Sequence, residues 1–166
     1  MASKSDGKVD VCQWVRQNFP KDASCLDVGA CDGVWHELLG NWLKMDAVEI
    51  FFPNVTNNRL ADKYRNVLVG DIADIQYEHY DLVIFGDVIE HMTVEKAQAV
   101  LEYASGRCED MIIAVPYLYQ QDEIYGNKYE KHLQPDLTEE LFLELYQNFE
   151  VLLKPNDSYC YWHKKK

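Results

Sequence analysis

A chain of 166 residues fits one domain of ordinary size, long enough to bury about 70% of its unfolded surface. Hydrophobic residues make up 48% of it, yet no apolar run approaches the ~18 residues of a membrane span. The net charge of −12 lacks the basic footprint of sequence-independent nucleic-acid binding, so nucleic acid is not expected as a partner and neutral or basic substrates are mildly favoured.

The opening residues, MASKSDGKVD, are polar and lack the apolar core of a signal peptide. Residues 1–8 are therefore expected to be a flexible tail, with a single domain over 9–166. The five cysteines are odd in number and form no Cys-x-x-Cys. This argues for reduced thiols, a cytoplasmic location and no zinc site of that type. The first helix is expected over 9–18, with Val11, Trp14, Val15 and Phe19 on one side and Pro20-Lys21-Asp22 closing it.

Strands and helices then alternate. Ser24–Val28 reads as a strand, 34–43 a helix, 46–50 a strand, 53–63 a helix opened by Pro53, and 67–70 a strand. A second set follows, with a strand at 81–85, a helix at 94–104 capped by Thr93, and a strand at 111–115. Short apolar strands alternating with helices imply right-handed βαβ units and a mostly parallel sheet covered on both faces. Residues 116–135 are rich in Tyr, Gln, Asp and Asn and show no period. A helix at 138–147, capped by Thr138, precedes strands 149–153 and 158–162, which flank a turn at Pro155-Asn156-Asp157. Lys164–Lys166 is expected to be a solvated tail.

In an open α/β sheet, ligands bind beyond the carboxyl ends of the strands where the strand order reverses. The first strand runs into Asp27-Val28-Gly29-Ala30-Cys31-Asp32-Gly33 and then a helix, which leaves bare backbone at such a crevice. Asp27 would repel a pyrophosphate placed there but would accept from a cationic amino group, which points away from NAD. The next strands also end in acids: Glu49, Asp71 and, just past the fourth, Asp87. Glu49 follows the glycine turn by about 20 residues, where a carboxylate grips ribose hydroxyls. An acid at a strand end is also commonly a helix cap or a solvated loop residue, and Asp71 alone reads as well as a turn acid.

Together these residues resemble the class I S-adenosylmethionine-dependent methyltransferases. Residues 27–33 are similar to the family's first motif, Glu49 to the acid after its second strand, and Gly70-Asp71-Ile72 to its adenine-contacting segment. YDLVIFGDVIEHM, residues 80–92, resembles the fourth strand and turn of the branch with Asp-x-x-Glu-His. The resemblance implies an α/β, Rossmann-like, seven-stranded sheet of order 3-2-1-4-5-7-6, with the last strand antiparallel and helices on both faces. It implies S-adenosyl-L-methionine as cofactor, with S-adenosyl-L-homocysteine as product.

By the same resemblance Asp27 and Gly29 would lie by the methionine portion, with Ala30 and Cys31 in the same turn and Gly33 permitting close helix approach. Glu49 would hold the ribose, Ile50 would flank the adenine, Asp71 would take its amine beside Ile72, and Asp87 and Val88 would line the pocket. The Glu90-His91 pair would mainly support the turn. Cys31 stands where the family's middle glycine lies, so ordinary backbone dihedrals are expected of it.

Methyl transfer from a sulfonium needs orientation, water exclusion and sometimes a base. The candidates are His91, after the fourth strand, and Glu130 or His132 in 116–135, a segment read as a substrate-side lid. The five histidines share no ligand-type spacing, so no metal is expected. The acceptor would be a small molecule or a protein side chain. A non-catalytic cofactor-binding subunit is the alternative, and an NAD-dependent oxidoreductase is disfavoured by the missing Gly-x-Gly-x-x-Gly.

Overall fold

Alternate residues along the strands point to opposite faces, and both faces are apolar. Leu26, Val28, Val83, Phe85 and Ile113 pack on one side with Ala97, Val100 and Leu101. Cys25, Met45, Ala47, Leu82 and Ile84 pack on the other with Val11, Val15, Trp35 and Leu60. A sheet with two buried faces needs helices on both, and the computed structural model, which describes residues 6–165, has them.

The elements are α1 (Lys8–Asn18), β1 (Ser24–Val28), α2 (Val34–Leu39), β2 (Lys44–Glu49), α3 (Phe52–Asn57), α4 (Leu60–Lys63) and β3 (Val67–Val69). Then come β4 (Tyr80–Gly86), α5 (Val94–Ser105), β5 (Cys108–Pro116), α6 (Glu139–Leu145), β6 (Glu150–Asn156) and β7 (Tyr159–Lys165). The sheet order is β3-β2-β1-β4-β5-β7-β6, with β7 antiparallel to both neighbours. This is the architecture expected from the sequence. Among the described residues no helix is long and apolar enough to cross a membrane.

Several boundaries move for local reasons. The helix after the glycine turn stops at Leu39, where Gly40 lies under the His36 ring. The helix expected over 53–63 breaks into α3 and α4 at Arg59, whose φ is 52°. The hairpin turn falls at 157–158, because Pro155 stays within β6. That strand lies at the sheet edge, where a residue without an N–H is tolerated. Lys164 and Lys165 are not a tail: they continue β7 opposite Met111 and Asp110.

At the other end, residues 1–5 of the expected tail lie outside the described residues. Lys8, assigned to that tail, is instead the first residue of α1 and only 2% exposed. The segment before it is tied to the last strand, since the Tyr161 hydroxyl donates to the Asp6 carbonyl at 2.7 Å.

Candidate functional site

The strand order reverses between β1 and β4, which pair in parallel, and a cleft of about 400 Å³ opens at their carboxyl ends. That is the size range of small-molecule and cofactor sites.

One wall is the turn after β1. Gly29 has φ 75°, and a Cβ there would meet Val88 Cγ2 at 2.5 Å, so the turn and the loop after β4 touch at a position only glycine fills. Gly29→Ala is expected to cost about 2 kcal/mol of stability, read as a shift in the urea midpoint. Adding Val88→Ala should recover the steric part. A Gly29→Ala protein as stable as the parent would show that the contact is soft.

Cys31 departs from expectation: its φ is 47°, in the left-handed region. Its N–H donates to Glu49 Oε2 at 2.8 Å, and its carbonyl accepts from Asn58 Nδ2 at 2.8 Å. Lys63 Nζ holds the next carbonyl, that of Asp32, at 2.8 Å. The break between α3 and α4 thus sets two side chains onto the turn, and these fixed partners hold Cys31 in place of a glycine. Burial pushes its thiol up to about 12, so it is no thiolate nucleophile.

Glu49 is 4% exposed at the end of β2. Its other oxygen, Oε1, accepts from Phe51 N–H at 2.8 Å. Burial raises its carboxyl pKa against these backbone hydrogen bonds. Asp71 caps a single 3-10 turn by accepting from Ala73 N–H, and it pairs with the Lys96 ammonium. Each carboxylate keeps lone pairs for a ligand.

The cleft is lined by Gly29, Ala30, Cys31, Glu49, Ile50 and Asp71, and further by Ile72, Asp87 and Val88. Asp27 and Gly33 do not line it. A Cβ on Gly33 would face the Lys63 side chain at 3.0 Å, so its close approach is to α4. Asp27 is 0% exposed and accepts from the Tyr64 hydroxyl at 2.5 Å. It lies one residue before the carboxyl end of β1, on the sheet face that carries Cys25 and Tyr64. Burial raises its pKa to about 7, against the lowering effects of Tyr64 and Lys8.

Tyr159 and Lys8 are residues that strand-end reading missed. Asp87, at φ 57°, accepts from the Tyr159 hydroxyl at 2.6 Å and lies 3.7 Å from Lys8 Nζ. Because β7 runs antiparallel, its first residue sits opposite Pro116 at the cleft edge. The hairpin pattern was the signal that could have placed Tyr159 there.

The far wall comes from 116–135, the segment expected from the sequence to be a lid. His91, Glu130 and His132 all line the cleft. The Glu130 carboxylate is engaged by Asn127 Nδ2 and Gln121 Nε2, each at 3.3 Å, which makes it a brace within the lid. His132 Nδ1 faces the Tyr119 carbonyl at 2.8 Å, and His91 Nδ1 the Lys131 carbonyl at 3.2 Å. Burial lowers both imidazole pKa values, so both rings are neutral at pH 7 with a lone pair at Nε2.

Glu90 is 1% exposed, and neither carboxyl oxygen has a hydrogen-bond partner. Its backbone carbonyl accepts from Leu133 N–H and Gln134 N–H, so segment 116–135 is anchored to the turn after β4. Gln134 completes the attachment: Nε2 donates to the Ile89 and Met92 carbonyls, and Oε1 accepts from the Tyr146 hydroxyl. Gln134→Ala is expected to cost about 2 kcal/mol by orphaning these buried groups. Hydrogen exchange should show faster exchange at 116–135 than in β1 or β4; unchanged exchange there would contradict the clamp.

No protein-family model matches the chain, and no curated protein matches it in sequence. Solved structures do resemble it. The N-terminal domain of EvdMO1 with SAH bound is 15% identical, with a TM-score of 0.71 over 98% of this chain and 82% of that one. A S-adenosylmethionine-dependent methyltransferase from Clostridium acetobutylicum is 14% identical, with a TM-score of 0.73 over 99% and 92% of the two chains. Magnesium protoporphyrin IX methyltransferase from Synechocystis with bound SAM gives 16% identity and a TM-score of 0.65, over 95% and 77%. At these identities the likeness establishes the fold.

Proposed function

We propose that this chain is an S-adenosylmethionine-dependent methyltransferase acting on a small-molecule or exposed side-chain acceptor. It would be a single cytoplasmic domain over 9–166, with 116–135 as its substrate-side lid. The observation that carries the reading is Glu49. Its buried carboxylate ties the glycine turn to the end of β2 through Cys31 and Phe51 N–H and faces a cleft on a methyltransferase fold.

The cleft's chemistry fits the donor. Glu49 offers lone pairs to two ribose hydroxyls, Ile50 and Ile72 offer apolar surface to a flat base, and Asp71 offers an acceptor for an exocyclic amine. The Asp87 carboxylate at the cleft favours a cationic group and disfavours a pyrophosphate, which argues against NAD. Asp27, beneath the turn and bonded to Tyr64, braces the site instead of touching the donor's amino group.

When bound, the donor supplies a methyl already activated on a sulfonium and leaves as S-adenosylhomocysteine. The protein orients and dries the acceptor. Tyr119, Tyr129, His91 and His132 meet it from the lid and the turn after β4, and the exchangeable lone pairs on that side belong to the two neutral imidazoles and Glu90.

Calorimetry against S-adenosylmethionine, S-adenosylhomocysteine and NAD tests the donor. Heat with both sulfur ligands and none with NAD is expected; silence with both would refute the reading. Transfer of a labelled methyl group into metabolite and protein fractions then separates an enzyme from a binding subunit.

A further inference from the structure

Glu90, His91 and His132 bring one ligand atom each within 4.8 Å of one another. The first two are adjacent at the turn after β4, and the third is on the lid. Two donors on opposite sides of one ion lie about 4.2 Å apart, and neighbouring donors about 3 Å. At most one of the three pairs can span opposite sides of an ion, so the others close toward about 3 Å, a side-chain adjustment of up to about 1.8 Å.

Three independent features point to a cation. Glu90 is a fully buried carboxyl with neither oxygen hydrogen-bonded, an arrangement that calls for a partner. Both imidazoles turn Nδ1 to a backbone carbonyl, of Lys131 and of Tyr119. That outer contact fixes metal-binding histidines in the tautomer with Nε2 free to coordinate. All three side chains also line the cleft, so an ion held by them keeps coordination positions open to a ligand.

We propose that Glu90, His91 and His132 form a binding site for a divalent transition-metal ion, whose open positions take an acceptor hydroxyl. Two imidazoles and one carboxylate suit zinc, cobalt, manganese or iron(II) better than magnesium or calcium. The role of the ion rests on the methyltransferase reading; the site itself does not. A hydroxyl bound to the ion loses its proton to solvent near neutral pH. Its oxygen lone pair then forms the O–CH3 bond as the C–S bond breaks, leaving the electron pair on sulfur. The histidines are positioned as ligands in this scheme, not as bases.

The test uses chelator-treated protein and Co2+ alone, followed by visible absorption, with Zn2+ titration by calorimetry. One ion per chain is expected, with a Kd below about 10 µM, d–d bands of nitrogen and oxygen ligation and no thiolate charge-transfer band. His132→Gln should weaken binding by at least about 100-fold. Glu90→Gln is the second reporter if His132→Gln fails to fold by circular dichroism. Binding weaker than about 1 mM, a thiolate band assigning the metal to a cysteine, or parental affinity in both variants would each overturn the site. Donor affinity on the same samples separates the two readings. Donor binding without metal binding overturns the metal site alone, and metal binding without donor binding sustains the site and overturns the donor.

Discussion

Replacing Glu49 with alanine is expected to weaken S-adenosylmethionine binding by about a hundredfold or more, with the sheet intact by circular dichroism. The carboxylate has two duties. It accepts from Cys31 N–H and Phe51 N–H, and it faces the cleft where the donor's hydroxyls would lie. Charge-assisted hydrogen bonds contribute about 1.5–3 kcal/mol each, so losing the ligand pair alone reaches roughly 3 kcal/mol, or two decades in Kd. Cys31 then sits at positive φ without its N–H partner, and the turn loosens further. Glu49→Gln keeps one acceptor oxygen and should fall between the two. Calorimetry decides; a loss under about threefold in the alanine variant would remove Glu49 from the donor site.

The second large effect concerns acid–base balance beneath that turn. Asp27 has a pKa raised to about 7 from 3.8, chiefly by burial. Its Oδ1 has no hydrogen-bond partner among the described residues. The native state therefore holds a proton that the unfolded chain releases. Between about pH 4 and pH 7 the folded protein binds more protons than the unfolded one, so this group's contribution to stability falls as pH rises and levels off above 7. The full span is about three pH units at 1.36 kcal/mol each, or about 4 kcal/mol. Between pH 5 and pH 8 about two of those three units are crossed, so urea denaturation should show Asp27→Asn gaining about 2.6 kcal/mol on the parent over that range. Glu90, also raised by burial, titrates in both proteins and drops out of the comparison. Parallel pH profiles for parent and variant would sink the assignment.

Much of this was legible in the sequence because strand-turn-helix grammar is local. Glycines after a strand, acids at three strand ends and a cap at Thr93 each declare themselves within a few residues, and together they located the cleft edge. Strand parity places Asp27 more finely than its position near a strand end does. The residue shares a strand face with Cys25, and in a sheet covered on both faces that parity buries it under α1 and α4. Cys31 misled because a side chain at positive φ is costly by itself, while the partners that hold it, Asn58 and Glu49, lie 27 and 18 residues away. The Glu90–His91–His132 cluster had no readable spacing at all. Its third member reaches the first two only because Gln134 and the Glu90 carbonyl dock the lid, a tertiary event with no periodic trace.

The bond from the Tyr161 hydroxyl to the Asp6 carbonyl joins residues 155 positions apart, and Lys8 and Tyr159 meet at Asp87 on the same side of the cleft. Such contacts close almost the whole chain into one loop, and loop closure over that separation is entropically late. On a ribosome, α1 through β5 can assemble while the pocket still lacks its back wall. Tyr159 joins that wall when β7 takes its place between β5 and β6. A chain lacking β7 would keep the turns after β1 and β4 but lose the Tyr159 hydroxyl from Asp87, so weaker ligand binding is the expected result.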